Sequence, residues 1–249
     1  MIGHKDVCPS INSQGGQASS YPGGELEALH QSPNYYDWLL RHFLPYFGER
    51  TLEVGAGLGT VAGYVLQNAK VAELVLVEPA DNLFPLLREQ FSGYSRVKLV
   101  HGQLEDIAAS LASVNSAIAV NVLEHVADDR ALLRTINRVL LPGGVVLLFV
   151  PALPWLYGTL DECFQHVRRY TKRELARRLE ETGFRVERLH YFNCIGVVAW
   201  FVAGKILRRK TIRISDARSY DRWIVPWASR LESRWTPPFG QSLVAVARK

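Results

Sequence analysis

The sequence predicts an α/β fold: a mixed seven-stranded sheet with helices on both faces and a helical insertion near its C-terminal end. Three observations predict it. β-rich runs alternate with helix-period stretches through the middle of the chain, a glycine cluster joins the first run to the first helix, and two further β-rich runs bracket a long apolar and basic insertion. With 249 residues, 48% of them apolar and 21% charged, the chain can bury a full core.

Residues 1–24 are rich in Ser, Gly and Gln and lack the apolar run of a signal peptide, so a flexible arm is expected ahead of one domain over 25–249. A helix is expected to begin at Ser32-Pro33. Strands follow at 51–54, 74–78, 97–101, 117–121 and 145–150, with helices at 61–67, 83–90 and 131–140 and a shorter one within 104–113. Strand–helix alternation implies crossover connections, hence parallel strands covered on both faces. Pro142-Gly143-Gly144 reads as the stop between the helix ending near Leu140 and the fifth strand. A helix over 171–181 ends at Thr182-Gly183, and strands at 185–192 and 242–247 enclose a helical cap, 193–240.

In such sheets a ligand binds beyond the carboxyl ends of the strands, where the strand order reverses. There the first strand runs into Leu52-Glu53-Val54-Gly55-Ala56-Gly57-Leu58-Gly59-Thr60. Glycines let backbone approach a ligand closely and leave helix-start amides free to donate. The third glycine comes one residue earlier than in the dinucleotide pattern, and Thr60 fills that position, which argues against NAD. Glu53 would repel a pyrophosphate but suits an amino group and a sulfonium. Glu78, 19 residues after Gly59 at the tip of the next strand, suits two ribose hydroxyls.

These residues resemble motif I and the motif II acid of the class I S-adenosylmethionine-dependent methyltransferases. His101-Gly102-Gln103-Leu104-Glu105 is similar to the segment in which that family contacts adenine, although Gln103 stands where Asp is common. Asn121-Val122-Leu123-Glu124-His125-Val126 and Leu141-Pro142-Gly143-Gly144 resemble the small-molecule enzymes related to quinone biosynthesis. The resemblance covers roughly residues 33 to 150. It implies a Rossmann-like fold and S-adenosylmethionine as cofactor, leaving S-adenosylhomocysteine as product. The cofactor residues it implies are Tyr36, Glu53, Gly55, Ala56, Gly57, Gly59, Glu78, Pro79, Gln103, Leu104 and Asn121. Tyr36 enters through the helix before the first strand, which in related enzymes closes over the methionine moiety.

In-line methyl transfer depends mainly on alignment and exclusion of water, and a base is needed only where the acceptor must lose a proton. His125, just beyond the fourth strand, and His166 are the catalytic candidates. The second lies in Asp161-Glu162-Cys163-Phe164-Gln165-His166-Val167-Arg168-Arg169-Tyr170, which resembles a D-x-x-x-G-H-x-R-R-Y segment of the same enzymes with Gln165 in place of glycine. Tyr157, Arg169, Tyr170 and, from the cap, Trp200 are the candidate acceptor contacts, with Arg168 or Arg169 available to an anionic group. No metal-like spacing is present.

Charge divides unevenly: 10 Lys and Arg against 17 Asp and Glu up to Glu162, then 19 against 7. The cap combines an apolar stretch, 194–207, with Arg208-Arg209-Lys210 and with tryptophans interleaved among arginines. One reading buries its apolar side on the sheet or on a second subunit, in a monomer or homodimer. The other makes it a greasy acceptor pocket or a patch in contact with membrane lipid. The stretch is too short to span a bilayer. Nucleic acid is not the expected partner, because the fourth strand is followed by Asn-Val-Leu-Glu and not by an N-P-P-Y or D-P-P-Y type motif. The expected acceptor is a small molecule; a catalytically silent S-adenosylmethionine-binding subunit is the competing reading. Three unclustered cysteines suggest a reducing, cytoplasmic setting.

Overall fold

The structure is a computed structural model that describes Tyr21, Leu26 and residues 30–249. The arm expected over 1–24 lies outside the described residues apart from Tyr21. Among them, strands β1 (Arg50–Val54), β2 (Glu73–Glu78), β3 (Val97–His101), β4 (Val114–Val120), β5 (Leu140–Pro151), β6 (Arg185–Phe192) and β7 (Ser242–Arg248) form one sheet in the order β3-β2-β1-β4-β5-β7-β6. The first five pair in parallel. β7 runs antiparallel between β5 and β6 and makes the sheet mixed.

Near-continuous burial along β1, β2 and β4 reflects cover on both faces. Side-chain alternation along each strand sends Leu52, Val54, Val75 and Val77 to one layer, against helices Asp129–Val139 and Lys172–Glu181. Leu74, Leu76, Ile118 and Leu147 go to the other, against helices Pro33–Arg41, Thr60–Asn68 and Phe84–Phe91. Local chemistry sets the helix starts. The Asp128 carboxylate accepts from the Ala131 amide, and Thr171 and Glu174 form a reciprocal capping box.

One expectation needs correction. Pro142-Gly143-Gly144 is not a turn before β5 but lies within it, because the strand pairs with β4 from Leu140 onward and the irregularity is absorbed as a register shift between Val114 and Ser116. The short helix expected within 104–113 is found at Leu104–Ile107.

Between β6 and β7 lie helix Cys194–Phe201, a π-helical continuation Val202–Ile206, and helices Ile214–Trp223 and Val225–Glu232. Asp221 ties this cap to the N-terminal helix: its carboxylate accepts from the Tyr35 amide at 2.8 Å and from Asn34 Nδ2 at 3.0 Å. The cap does not bury the apolar side of 194–207. Only Gly196, Val197 and Gly204 of helix 194–206 are buried, and Val198, Phe201, Val202 and Ile206 face solvent.

On the far side His190 Nε2 meets His42 Nδ1 at 3.2 Å. Burial lowers the proton affinity of both rings, aided by Arg188, and takes His190 to about 4. Because the unfolded chain binds protons more readily there, stability is expected to fall as pH drops from about 6.5 towards 4. The loss is about 1–2 kcal/mol for these screened, part-exposed rings. A His190→Phe variant should have a shallower acid limb in pH-dependent urea unfolding; an unchanged slope would show that the pair contributes nothing.

Candidate active site

β1 lies between β2 and β4, so chain connections leave it in opposite directions and open a cleft above its carboxyl end. The cleft has a volume of about 370 Å³. One half is built on the glycine loop. Gly55 and Gly57 have φ of 69° and 55°, and a Cβ at Gly55 would stand 2.8 Å from Val122 Cγ2, so a side chain there would be strained and crowded.

Glu78 Oε2 accepts from the Gly57 amide at 2.6 Å and Oε1 from the Ala80 amide at 2.8 Å. Burial raises its carboxyl above the ordinary range, against the pull of those two amides. Glu53 is also buried, and its Oε2 has no hydrogen-bond partner among the described residues. Burial, reinforced by the charge of Glu78, holds its carboxyl well above the usual range. A buried carboxyl with an unused oxygen is costly unless a ligand completes it, and a cation would do so. Tyr36, Ala56, Pro79, Gln103 and Asn121 complete this half.

The donor set and the loop fit S-adenosylmethionine. Glu53 would offer an acceptor to its positive end, Glu78 would keep acceptor capacity for ribose hydroxyls, and the loop leaves space where a Cβ would intrude.

The other half is walled by Phe149, Phe164, Trp200 and Ile212 and holds His125 and His166. Fully buried Asp161 organises it. Its Oδ1 is 2.8 Å from His166 Nδ1 and accepts from Arg169 Nε at 2.7 Å; Oδ2 accepts from the Gly158 amide at 3.0 Å and from Trp200 Nε1 at 3.3 Å. Burial pushes this carboxyl up, but His166 and Arg169 outweigh it and hold it below the ordinary range. Nδ1 of His166 is thereby engaged, and Nε2 is the ring nitrogen available to the cleft. The His125 ring lies 4.9 Å from that of His166; burial and this neighbour lower its proton affinity to about 3. Tyr21 closes over it edge-on at 5.7 Å.

Glu124, missed as a site residue by sequence reasoning, is wholly buried, and neither carboxylate oxygen has a hydrogen-bond partner among the described residues. Burial raises it to about 7, against the pull of His166 and Arg169. Glu124, His125 and His166 offer ligand atoms within 4.8 Å of one another, the kind of grouping that can hold a metal ion, brought together from two segments with no metal-like spacing.

Several expected contacts lie elsewhere. Tyr170 is buried beneath the sheet's end, its hydroxyl donating to Asp129 at 2.7 Å, with the Leu123 carbonyl 3.1 Å away. Arg168 is drawn to Asp129 and the Ala127 carbonyl. Tyr157 lies outside the cleft lining and donates to the His166 carbonyl at 2.7 Å, fixing the loop. Arg169 borders the cleft but is committed to Asp161, to the Ala152 carbonyl and to the Trp200 ring, 4.8 Å away. Leu104 packs into the core, and Gly59 caps helix Thr60–Asn68 against Phe91 and Leu87.

Gln165 adopts φ of 60° at the place where the resembled segment carries glycine. Gln165→Gly is expected to leave stability within about 1 kcal/mol of the parent or slightly raise it, whereas Gln165→Val should lower it by about 2 kcal/mol. Thermal melting of the two variants checks this; equal melting temperatures would contradict it.

A family model described as a methyltransferase domain matches residues 28–189, more than half of the chain. The chain belongs to the methyltransferase-domain family. A probable S-adenosylmethionine-dependent methyltransferase of Mycolicibacterium smegmatis is 31% identical over 159 residues, covering 60% of each chain. A ubiquinone biosynthesis O-methyltransferase of Erwinia tasmaniensis is 29% identical over 127 residues, covering 49% of this chain and 51% of its own. The matches thus span about half to three-fifths of these relatives' length. The crystal structure of a SAM-dependent methyltransferase from Archaeoglobus fulgidus superposes with a TM-score of 0.58 at 18% identity, covering 90% of this chain and 98% of that one, and so shares this chain's fold.

Proposed function

We propose that this methyltransferase binds S-adenosylmethionine in the glycine-loop half of the cleft and methylates a small acceptor in the aromatic half. The acceptor is one whose reacting oxygen or nitrogen must shed a proton. The observation that carries the reading is that His166, held by buried Asp161 at 2.8 Å, lines the same cleft as the unsatisfied Glu53.

When bound, S-adenosylmethionine supplies a methyl group made electrophilic by its sulfonium. Glu53 would face the positive end of this donor, Glu78 its ribose, and Gly55 and Gly57 would let it lie close to the backbone. Phe149, Phe164 and Trp200 orient an apolar acceptor and exclude water. His166 takes the acceptor's proton at Nε2, while Asp161 fixes the ring and stabilises the imidazolium. His125, neutral at physiological pH, is a contact and not a base.

The named O-methyltransferase among the relatives supports a hydroxyl acceptor, and the walls favour a planar, apolar one. The test is release of S-adenosylhomocysteine from S-adenosylmethionine across a panel of phenols and aryl amines. Acceptor-dependent release is expected with phenols; tight donor binding with no release from any acceptor would favour the catalytically silent subunit.

A further inference from the structure

Helix Cys194–Phe201 with its continuation to Ile206 has two unlike sides. Trp200 faces the cleft, against Arg169 and Phe164. The opposite side leaves Val198 64%, Ile206 61% and the neighbouring Trp155 57% exposed, with Phe201 against Trp155 at 6.1 Å and Val202 also in solvent. Exposing so much apolar surface on one helix side is unfavourable in water and marks a contact surface.

The surrounding charge says what covers it. Residues 193–240 carry nine Lys and Arg against three Asp and Glu, a net of +6, and all nine cations are exposed. The three acids are used internally. Asp221 caps the N-terminal helix, Glu232 accepts from the amides of Asn193 and Cys194, and Asp216 pairs with Arg209 at 2.6 Å. Arg208 and Lys210 flank the end of the apolar stripe without offsetting acids in the cap. A second copy would set this positive surface against itself. An anionic bilayer surface matches both features, since acyl chains receive the apolar stripe while headgroups meet Lys205, Arg208 and Lys210. The 13 residues of 194–206 span about 20 Å at helical rise, short of a hydrocarbon core of about 30 Å, so the helix lies in the interface. No described helix is long and apolar enough to cross a membrane.

We infer that the outer face of helix 194–206 docks the protein on anionic phospholipid. Bound in this way, the acceptor wall at Trp200 stands one helix width from the bilayer. On the methyl-transfer reading above, this gives an apolar acceptor a route from the lipid phase.

The experiment is co-sedimentation of the full chain with phosphatidylcholine vesicles, with and without phosphatidylglycerol, at low and high salt, beside a Val198→Glu, Ile206→Glu variant. The parent should sediment with phosphatidylglycerol vesicles only, less at high salt. The variant should bind at least about tenfold more weakly, since two apolar side chains lose their burial. Unchanged S-adenosylmethionine affinity and melting temperature would show that the variant is folded and that the donor site is untouched. Equal binding to both vesicle types, no binding, or undiminished binding of the variant would overturn the inference. So would a parent dimer in light scattering that the variant dissociates, which would assign the face to a second copy.

Discussion

His166→Ala is expected to lower the rate of methyl transfer roughly 100- to 10,000-fold, the range a positioned general base contributes. Its affinity for S-adenosylmethionine should stay within about twofold of the parent, because His166 lies in the acceptor half of the cleft. Asp161→Asn should fall in the same direction: the amide no longer stabilises an imidazolium and can present the wrong hydrogen-bonding partner to Nδ1. Asparagine is preferred to alanine there, since removing the carboxylate's volume would also leave buried Arg169 without its partner and destabilise the fold by about 3–5 kcal/mol. His125→Asn should cost less than tenfold, because a ring with proton affinity near 3 is a poor proton acceptor at neutral pH. Single-turnover rates separate these cases. A larger loss at His125 than at His166 would reverse the assignment.

Glu53→Gln is expected to act in opposite directions on stability and on binding. The folded protein binds a proton at Glu53 more tightly than the unfolded chain does. Stability attributable to this group is therefore intact below the unfolded value of about 4.5 and lost as pH rises through the folded one. Glutamine removes that dependence, so the variant should melt higher than the parent at pH 8 and equally at pH 4. The same change removes the negative partner for the donor and should weaken S-adenosylmethionine binding by about 2–3 kcal/mol, some 30- to 150-fold. Glu78→Ala should weaken binding comparably, without the stability gain, because the Gly57 and Ala80 amides lose their acceptor. A Glu53→Gln variant that binds the donor as tightly as the parent would show that the buried carboxyl serves the fold alone.

The parts of this fold governed by local pattern were legible in the sequence. β3 and β6 end where the β-rich runs at 97–101 and 185–192 end, and the glycine loop meets its helix at Thr60. Pro142-Gly143-Gly144 misled because a bulged strand and a turn call on the same residues; only pairing with β4 distinguishes them. In the donor half, Glu53 and Glu78 were readable because one strand–loop–helix unit and the next strand's tip bring them together. The acceptor half is assembled from 122–126, 149–151, 164–169, 200, 212 and 241–242, and no short-range spacing reports such a union. Glu124 carries no such signal, because it lies in the turn after β4 and is covered by the distant segment around Val167, whose amide donates to its carbonyl. Asp161, five residues before His166, left a usable signal in that spacing, since the turn it caps carries both. Tyr170 was misplaced because neighbours in an irregular loop need not share a face.

Calorimetric titration of the full chain with S-adenosylmethionine, repeated in two buffers of different ionisation enthalpy and with NAD alongside, tests the central claim most directly. Micromolar binding of S-adenosylmethionine with proton release, as the donor draws Glu53 into its charged form, and no binding of NAD is the result expected. Well-folded protein that binds no S-adenosylmethionine, or binds NAD in its place, would contradict it.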